Sequence, residues 1–401
     1  MNGLRFLKNI EVKPDIHWVG VNDRITDLFE GVWPLPKGVS YNSYLIESDK
    51  TALVDSVKAD FEDEFLEKIE EVTNPSEIDY VIVNHMEPDH SGALPTLRRL
   101  APDAEILCTE KAVDFLESLY GITENIKIVE DGEEIDLGDR TLKFFETPFV
   151  HWPETMMTYE PEEKVLFSGD AFGGFGALGG GIFDDEVDLE AYESEILRYF
   201  SNIVGMYTAT VQRALQKLED LEVNVIAPTH GPIWRTQPEK IIELYDRWSK
   251  MEGEDGITII YGSMYGNTEE LMESVAAGVK SQGCKNIRIL DASRVSLSYL
   301  LSEAWRREGL IIGTPTYDAR IFPPVDHFVK LARKKKLRNR VTGIFGSFGW
   351  SGGALDRIDS IIEELEWDLV EPITEFKGKP NEKDLEKGFE LGENIAKKIM
   401  S

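Results

Sequence analysis

The chain has 401 residues, of which 42% are hydrophobic, so it can form two or three globular domains and is not a disordered chain. Its formal net charge of −31 argues against nucleic acid and anionic membrane surfaces as partners. There is no apolar run of about 20 residues, and the first residues lack the apolar core of a signal peptide. The two cysteines, Cys108 and Cys284, are too few and too widely spaced for a disulfide framework or a cysteine-based zinc site. We therefore expect a cytoplasmic protein without a membrane segment.

The charge is unevenly distributed along the chain. Residues 256–401 carry equal numbers of acidic and basic side chains, so the whole negative excess lies in residues 1–255. The change falls at the polar stretch 249–256, which has the composition of a linker. We predict one domain over residues 1–252 and a second over residues 256–401.

The first half alternates short β-rich runs with runs of helical periodicity. We predict strands over Ser43–Glu47, Ala52–Val54, Tyr80–Asn84, Ile106–Cys108, Thr141–Thr147, Val165–Ser168 and Val223–Ala227. We predict helices over Phe61–Val72 and Glu190–Leu221.

The second half alternates strands and helices more regularly. Predicted strands cover Ile257–Tyr261, Asn286–Leu290, Leu310–Gly313, Val341–Phe345 and Asp368–Glu371. Predicted helices cover Thr268–Ser281, Leu297–Ala304, Pro324–Lys334, Ala354–Leu365 and Glu382–Met400. Five strands alternating with five helices predict a doubly wound, parallel, five-stranded sheet.

The segment after the apolar run 80–84 carries four potential metal ligands, namely His85, Glu87, Asp89 and His90. Pro88 is expected to prevent a helix there, so that these side chains converge from a turn. Metal ligation needs such convergence of imidazole and carboxylate groups.

Three further candidates follow other predicted strands: His151, Asp170 and His230. A single histidine after a strand is usually a hydrogen-bonded loop residue, but four of the six histidines of the chain belong to this set. Strand ends of one sheet meet at one rim, so we expect the seven groups to lie together. Seven ligands suit two metal ions, and Asp170, standing between two histidine positions, is the expected bridge.

Two other features lie near these candidates. The segment Gly174–Gly179 matches a GxGxxG nucleotide fingerprint, but no helix pattern follows it, so we expect a flexible rim loop beside Asp170 instead. Trp152-Pro153 and Gly231-Pro232 either shape the pocket wall or pack as ordinary loops.

The pattern His85-x-Glu87-x-Asp89-His90, with His151, Asp170 and His230, resembles the metallo-β-lactamase-like domain of the flavodiiron proteins, also called A-type flavoproteins. The resemblance implies an αββα sandwich. Hydrolytic relatives of that fold carry histidine at the position of Glu87 and bind zinc. A carboxylate there makes the site harder and more anionic, which favours iron and redox chemistry.

The resemblance also implies how the metal ligands are shared. One iron would bind His85, Glu87 and His151, and the other Asp89, His90 and His230, with Asp170 bridging them. Whether His90 binds iron stays open, because the matching residue turns away from the metal in some family members.

Three loops of the second half follow predicted strands at the edge where doubly wound folds bind ligands. The first precedes a helix and has small, hydroxylated residues but no Walker lysine, which favours a single phosphate group, although a hydroxyl-capped helix start would look similar. The candidate cofactor-binding residues are Ser263, Met264, Tyr265, Gly266, Asn267, Thr268, Pro315, Thr316, Tyr317, Asp318, Ser347, Phe348, Gly349, Trp350, Ser351 and Gly352.

This half resembles flavodoxin, whose phosphate loop and two isoalloxazine loops match these three loops. The resemblance implies FMN as the cofactor. Tyr265 stands where flavodoxins usually have threonine, so one hydroxyl contact to the phosphate is expected to be absent.

Together the two resemblances cover nearly the whole chain in the domain order of the flavodiiron family. They imply an oxidoreductase that reduces dioxygen to water at a non-haem diiron site with electrons supplied through FMN. Two alternatives remain open: reduction of nitric oxide to nitrous oxide at the same site, and a zinc hydrolase fused to a flavodoxin-like module. The implied electron donor is rubredoxin or a reduced deazaflavin coenzyme. The implied assembly is a head-to-tail homodimer or a tetramer.

The run 333–340 is the only basic cluster in the sequence. Such runs are usually solvated surfaces. The alternative is a docking surface for an acidic electron carrier or for the acidic domain of a second subunit.

Overall fold

The computed structural model describes residues 9–400. It consists of two compact units divided between Asp246 and Arg247. The polar stretch 249–256 is less of a linker than expected, because a helix ends at Ser249 and a strand begins at Glu254. The domain boundaries 1–252 and 256–401 therefore stay our proposal.

The first unit is mainly built from short strands. In chain order they are β1 (Ile10–Lys13), β2 (Ile16–Trp18), β3 (Val21–Asp23), β4 (Leu28–Phe29), β5 (Trp33–Pro34), β6 (Val39–Tyr41), β7 (Tyr44–Ile46), β8 (Thr51–Val54), β9 (Ile78–Ile82), β10 (Glu105–Cys108), β11 (Ile126–Ile128), β12 (Glu134–Asp136), β13 (Thr141–Glu146), β14 (Met156–Glu160), β15 (Val165–Gly169) and β16 (Val225–Pro228). Its α-helices are α1 (Glu62–Glu70), α2 (Pro88–Ser91), α3 (Leu94–Leu100), α4 (Glu110–Tyr120), α5 (Leu189–Tyr199), α6 (Thr208–Leu218) and α7 (Pro238–Ser249).

Two mixed sheets form the centre of this unit. One has the order β1-β2-β7-β8-β9-β10-β11 and the other the order β12-β13-β14-β15-β16. Ile82 of the first sheet and Phe167 of the second belong to one buried core cluster. Because side chains alternate along a strand, the neighbouring residues face outward. Val81 lies beside Leu94 and Leu97 of α3, and Leu166 lies on the side of α6 and α7. The unit is thus an αββα sandwich, as the resemblance implied.

All seven strands predicted for the first half are present, with ends shifted by at most two residues. The predicted single helix Glu190–Leu221 is wrong, because a π-helical turn at Phe200–Val204 and a 3₁₀ turn at Gly205–Tyr207 separate α5 from α6. Residues 199–205 are all buried, so tertiary packing rather than helical periodicity decides their backbone here.

The second unit is a doubly wound α/β domain. Its strands are β17 (Glu254–Tyr261), β18 (Ile287–Asp291), β19 (Arg307–Tyr317), β20 (Arg320–Ile321), β21 (Val341–Phe348), β22 (Asp368–Leu369) and β23 (Thr374–Lys377). Its helices are α8 (Asn267–Ser281), α9 (Leu297–Arg306), α10 (Pro323–Lys334), α11 (Leu355–Leu365) and α12 (Glu382–Ile399).

The five central strands of this unit run parallel, as predicted. Their order in the sheet is β18-β17-β19-β21-β22. The fifth strand differs from the prediction Asp368–Glu371, because it is divided into β22 and β23, which pair with opposite ends of β21. Pro372 lies between the two pieces and has no amide hydrogen for the ladder.

Candidate metal centre and cofactor pocket

The seven predicted metal ligands lie at one rim of the first unit. His85 and Glu87 follow β9, Asp170 follows β15 directly, and His230 follows β16. His151 lies in the loop between β13 and β14. The carboxyl ends of these strands therefore bring together residues that are up to 145 positions apart in the sequence.

The expectation that Pro88 prevents a helix is wrong. Pro88 is the first residue of the short helix α2, a position where its missing amide hydrogen costs nothing. Asp89 and His90 are therefore carried by a helical turn, while His85 and Glu87 precede it. Ser56 holds this turn, since its backbone nitrogen and its hydroxyl both lie 2.7 Å from the carbonyl oxygen of His90.

The ligand atoms fall into two groups, each with its atoms within 4.8 Å of one another. In the first group, Glu87 Oε2 lies 3.3 Å from His85 Nε2 and 3.1 Å from His151 Nε2. In the second group, Asp89 Oδ2 lies 3.4 Å from both His90 Nε2 and His230 Nε2. Apart from Asp170, which falls within the first group, these are the two sets that the resemblance assigned to two irons.

Asp170 faces both groups, one with each carboxylate oxygen. Its Oδ2 lies 2.9 Å from His151 Nε2 and 3.5 Å from His85 Nε2. Its Oδ1 lies 3.0 Å from His90 Nε2 and 3.6 Å from His230 Nε2. A carboxylate in this position can bridge two metal ions.

The donor set fits metal ions better than it fits a closed hydrogen-bond network. Neither carboxylate oxygen of Asp89 has a hydrogen-bond partner among the described residues, although both are buried. His90 Nε2 and His230 Nε2 face each other at 3.1 Å, and two unprotonated ring nitrogens at that distance need a shared cation or proton. Buried nitrogen and oxygen donors with this unmet demand suit iron.

The protonation of this cluster reflects its alternating charges. Burial alone lowers the pKa of His151, but Asp170 and Glu87 outweigh that effect and raise it to about 9. Burial likewise opposes the charged form of His90, yet Asp89 and Asp170 raise its pKa to about 9. Burial would raise the pKa of Glu87, but His151 and His85 hold it below its ordinary value. Metal binding must therefore displace protons from the imidazoles.

The sequence analysis missed the groups that orient these ligands. Glu154 Oε1 lies 3.1 Å from His85 Nδ1, and the carbonyl oxygen of Ser40 lies 2.7 Å from His230 Nδ1. Thr229 donates a hydrogen bond of 2.7 Å to Asp170 Oδ1. Carboxylates and carbonyls commonly hold the second nitrogen of a metal-binding histidine. No spacing rule in the sequence marks Glu154 or Ser40 for this role.

A cavity of about 230 Å³ opens onto this centre. It is bordered by one carboxylate from each group, Glu87 and Asp89, and by the apolar side chains of Leu28 and Phe29. A small molecule in this cavity therefore reaches both groups of ligands.

The segment Gly174–Gly179 is not the flexible rim loop that we expected. Phe175 and Leu178 within it are fully buried, and Phe175 packs against Tyr199. A Cβ atom on Gly174 would lie 2.6 Å from Cγ1 of Ile196, so the backbone approaches α5 too closely for any other residue. Gly173, the residue before this segment, donates to the carbonyl oxygen of Asp170 at 3.1 Å.

Trp152 and Gly231, two of the residues expected to shape the pocket wall, differ in their contacts. The ring of Trp152 packs edge-on against His85 at 5.2 Å between centroids, as expected of a pocket wall. Gly231 instead donates its backbone N–H to Ser40 Oγ at 2.8 Å.

The second unit has a pocket of about 480 Å³ at the carboxyl ends of its strands. Twelve of the sixteen predicted cofactor-binding residues line it, together with Ala319 and Gly378. Ser263, Gly266, Thr268 and Gly352 do not line it. The hydroxyl of Thr316 is buried here and has no hydrogen-bond partner among the described residues, which fits a ligand that supplies one.

The residues outside the pocket wall support its first loop. Gly266 has φ of 87°, a conformation that favours glycine, and it precedes the first residue of α8. Ser263 Oγ accepts a hydrogen bond of 3.1 Å from Gly266 N, and Thr268 Oγ1 lies 2.8 Å from Ser347 Oγ. The loop therefore leads into the positive end of a 15-residue helix, where a phosphate binds well.

The basic run 333–340 is not a uniform exposed patch. Arg340 is buried and donates to several carbonyl oxygens, including those of Ala304 and Trp305. Arg333 and Arg338 pair with Glu364 and Glu366, respectively. Arg340 thus serves the structure of the unit, whereas Arg333, Lys334, Lys336 and Arg338 are exposed, so a docking surface there stays a prediction.

Comparisons with known proteins match both units. Residues 39–231 match the family described as ODP family beta lactamase, and residues 259–392 match flavodoxin. The nitric oxide reductase of Moorella thermoacetica is 35% identical over 395 residues, covering 97% of this chain and 98% of that protein. The anaerobic nitric oxide reductase flavorubredoxin of Vibrio vulnificus is 35% identical, covering 97% of this chain and 79% of that protein.

Solved structures give the same result. The flavodiiron protein of Giardia intestinalis superimposes with a TM-score of 0.94 at 30% identity, covering 99% of this chain and 98% of that one. The chain belongs to the flavodiiron protein family. Rubredoxin oxygen:oxidoreductase of Desulfovibrio gigas superimposes with a TM-score of 0.93 at 29% identity, covering 98% of this chain and 99% of that one.

As a flavodiiron protein, the chain is an oxidoreductase whose cofactors are FMN and a pair of iron ions. Membership of this family confirms the predicted family, fold class and cofactors. It argues against the alternative of a zinc hydrolase fused to a flavodoxin-like module. The curated relatives are named for nitric oxide reduction, which favours the predicted alternative over dioxygen. Among residues 9–400, no helix combines the length and apolar character needed to cross a membrane.

Proposed function

We propose that this flavodiiron protein reduces nitric oxide to nitrous oxide. The observation that carries the proposal is its full-length similarity, at 35% identity, to proteins named as nitric oxide reductases. The reaction joins two nitric oxide molecules and consumes two electrons and two protons, giving one nitrous oxide and one water. It therefore needs two binding positions side by side, and the two adjacent groups of ligands supply them.

The metal ligands in this proposal are those of the sequence analysis. His85, Glu87 and His151 would hold one iron, and Asp89, His90 and His230 the other, with Asp170 between them. Support for the inclusion of His90 comes from its ring nitrogen, which faces Asp170 Oδ1 at 3.0 Å. When bound, the iron pair would supply the electrons for the coupling of two substrate molecules, and reduced FMN would return electrons to the irons.

The protein's own side chains confine the substrate. Leu28 and Phe29 give the cavity beside Glu87 and Asp89 an apolar wall, which suits a small molecule that is poorly hydrated. Lys58 also lines the cavity, and its side-chain nitrogen lies 3.0 Å from Asp60. Tyr41 lines the same cavity, and its hydroxyl donates to Asp23 Oδ2 at 3.1 Å. These groups can hold protons close to the substrate.

FMN would occupy the pocket of the second unit. The helix start after Gly266 would bind the phosphate, and the exposed rings of Tyr317 and Trp350 would pack beside the isoalloxazine. Tyr265 replaces the usual threonine of the phosphate loop. The small hydroxyl side chains that this loop still offers are those of Ser263 and Thr268.

Dioxygen is the second candidate substrate. It is favoured by the close structural match to a protein titled rubredoxin oxygen:oxidoreductase. Reduction of dioxygen to two water molecules consumes four electrons and four protons, so it draws on both reduced FMN and the metal pair.

The remaining proposals concern partners and location. We propose rubredoxin as the electron donor, as the name of the Desulfovibrio gigas neighbour suggests, with a reduced deazaflavin coenzyme as the alternative. We also propose a cytoplasmic location and a head-to-tail homodimer in which FMN of one subunit serves the irons of the other. Sedimentation analysis of the purified protein tests the dimer.

The function is tested with anaerobically purified protein loaded with two irons and one FMN per chain. Electrons are supplied by reduced rubredoxin, and consumption of nitric oxide and of dioxygen is measured separately with electrodes. Faster turnover of nitric oxide, with nitrous oxide as the detected product, supports the proposal. Dioxygen turnover without nitrous oxide formation would make dioxygen the substrate.

A further inference from the structure

A buried carboxylate lies directly behind one of the metal-binding histidines. Glu154 is 2% exposed, and its Oε1 lies 3.1 Å from His85 Nδ1 and 3.0 Å from the backbone nitrogen of Met86. The backbone of Glu154 is held in turn, because Thr109 donates to its carbonyl oxygen at 2.9 Å. This contact fixes the ring of His85 with Nδ1–H toward Glu154 and Nε2 toward Glu87 and Asp170.

The second group of ligands has no corresponding carboxylate among the described residues. His230 Nδ1 contacts the neutral carbonyl oxygen of Ser40, and His90 Nδ1 is buried without a hydrogen-bond partner. Each group contains one carboxylate of its own, Glu87 or Asp89. Asp170 lies within the first group and also faces His90 and His230 of the second at 3.0 and 3.6 Å. Glu154 therefore places a carboxylate behind an imidazole of the first position, and no described residue does the same at the second.

We propose that Glu154 makes the two iron positions unequal in reduction potential. A carboxylate behind an imidazole makes the ring a stronger donor, and a buried anion favours the more highly charged metal ion. Both effects stabilise the oxidised state of the iron that His85, Glu87 and His151 would bind. On reduction, the iron held by Asp89, His90 and His230 takes up the first electron. Glu154 is thus a positioning residue that sets the order of reduction, and this inference rests on the ligand assignment proposed above.

The test compares the iron-loaded wild-type protein with Glu154→Gln. Glutamine keeps the size and an oxygen acceptor but removes the charge. Redox titration followed by electron paramagnetic resonance measures the potential of each reduction step and the maximal amount of the mixed-valence state. In Glu154→Gln the second step is expected to move to higher potential, so that the two steps approach each other and the mixed-valence maximum falls.

Thr109→Val is the matched control, because it removes the hydrogen bond that holds the Glu154 backbone without changing any charge. It is expected to shift both potentials less than Glu154→Gln does, because the carboxyl group of Glu154 is retained. Two results would overturn the inference. One is a Glu154→Gln protein that is fully loaded with iron and has the wild-type potentials. The other is a Thr109→Val protein whose potentials shift as much as those of Glu154→Gln.

Glu154→Asp covers the case in which Glu154→Gln does not retain iron. Retention of iron and of the wild-type order of reduction in Glu154→Asp supports a role of the charge. Loss of iron in both Glu154→Gln and Glu154→Asp would assign Glu154 a structural role and overturn the inference. None of these readouts measures turnover, so a failure of the proposed nitric oxide activity is recognised separately.

Discussion

The side-chain nitrogen of Asn42 lies 2.9 Å from the carbonyl oxygen of Gly231, the residue that follows His230. The same nitrogen donates to Pro228 at 2.9 Å, and the backbone nitrogen of Asn42 donates to Thr229 at 2.7 Å. Trp18 Nε1 donates to the amide oxygen of Asn42 at 3.0 Å, and because an indole N–H only donates, this contact fixes the orientation of the amide. One buried side chain therefore holds the chain on both sides of a proposed metal ligand.

Replacement of Asn42 by alanine is expected to destabilise the first unit and weaken iron binding. The change removes three buried hydrogen bonds. It leaves the Trp18 N–H and the Gly231 carbonyl unpaired, whereas the Pro228 carbonyl still accepts from the Tyr44 hydroxyl at 2.7 Å. We expect a cost of roughly 2–4 kcal/mol. Urea unfolding of the metal-free protein and the iron content after loading measure the two effects. Asn224→Ala, at an exposed position just before β16, is the control and should change neither.

Thr316→Val tests the flavin pocket. The hydroxyl of Thr316 is buried without a partner among the described residues, so its loss should not destabilise the protein without FMN. If FMN supplies the missing partner, its dissociation constant should rise about tenfold, the equivalent of about 1.4 kcal/mol. Fluorescence titration of the FMN-free protein measures the constant.

Thr342→Val is the matched control for this experiment. Its hydroxyl is also buried without a partner among the described residues, but Thr342 lies in β21 outside the pocket. FMN affinity should be unchanged in Thr342→Val. Equal affinities in all three proteins would show that Thr316 does not contact FMN.

Trp350→Ala should separate cofactor binding from stability. The indole is 88% exposed while lining the pocket, so its removal should change the free energy of unfolding of the FMN-free protein by less than about 0.5 kcal/mol. The loss of a stacking contact with the isoalloxazine should weaken FMN binding by roughly five- to tenfold. A large loss of stability in the absence of FMN would contradict this expectation.

The two cysteines should be unreactive in the folded protein. Burial raises the pKa of the Cys108 thiol to about 12 and also raises the pKa of Cys284. At pH 8 only about one Cys108 in 10⁴ is then a thiolate, whereas the ordinary pKa near 8.5 gives about one in four in the unfolded chain. A thiol reagent such as DTNB should therefore modify both cysteines in guanidinium and neither in native buffer. As the pH rises, the cysteine thiols lose their protons in the unfolded chain before they lose them in the folded protein. The free energy of unfolding should therefore fall above a pH of about 8.5.

The sequence alone determined the features that depend on local pattern. Alternating strands and helices gave the doubly wound second unit, because hydrophobic periodicity and helix starts are local properties. The positions directly after strands predict that His85, Asp170 and His230 lie close together. The expectation that these strands belong to one sheet is wrong, because β9 lies in the first sheet and β15 and β16 lie in the second. The three residues meet because the strand ends of both sheets lie at the same rim. The absence of a helix pattern after Gly174–Gly179 is likewise a local property, and it argues against a nucleotide fingerprint there.

Tertiary structure alone decided the features that depend on packing between distant segments. Phe175 packs against Tyr199, which in turn packs against His230. No local pattern encodes these contacts or the interruption of the helix after Tyr199. The hydrogen bonds of Glu154 to His85 and of Asn42 to Gly231 join residues 69 and 189 positions apart. A hydrogen bond requires an exact distance and direction, and only the assembled sheets bring these groups within reach of each other.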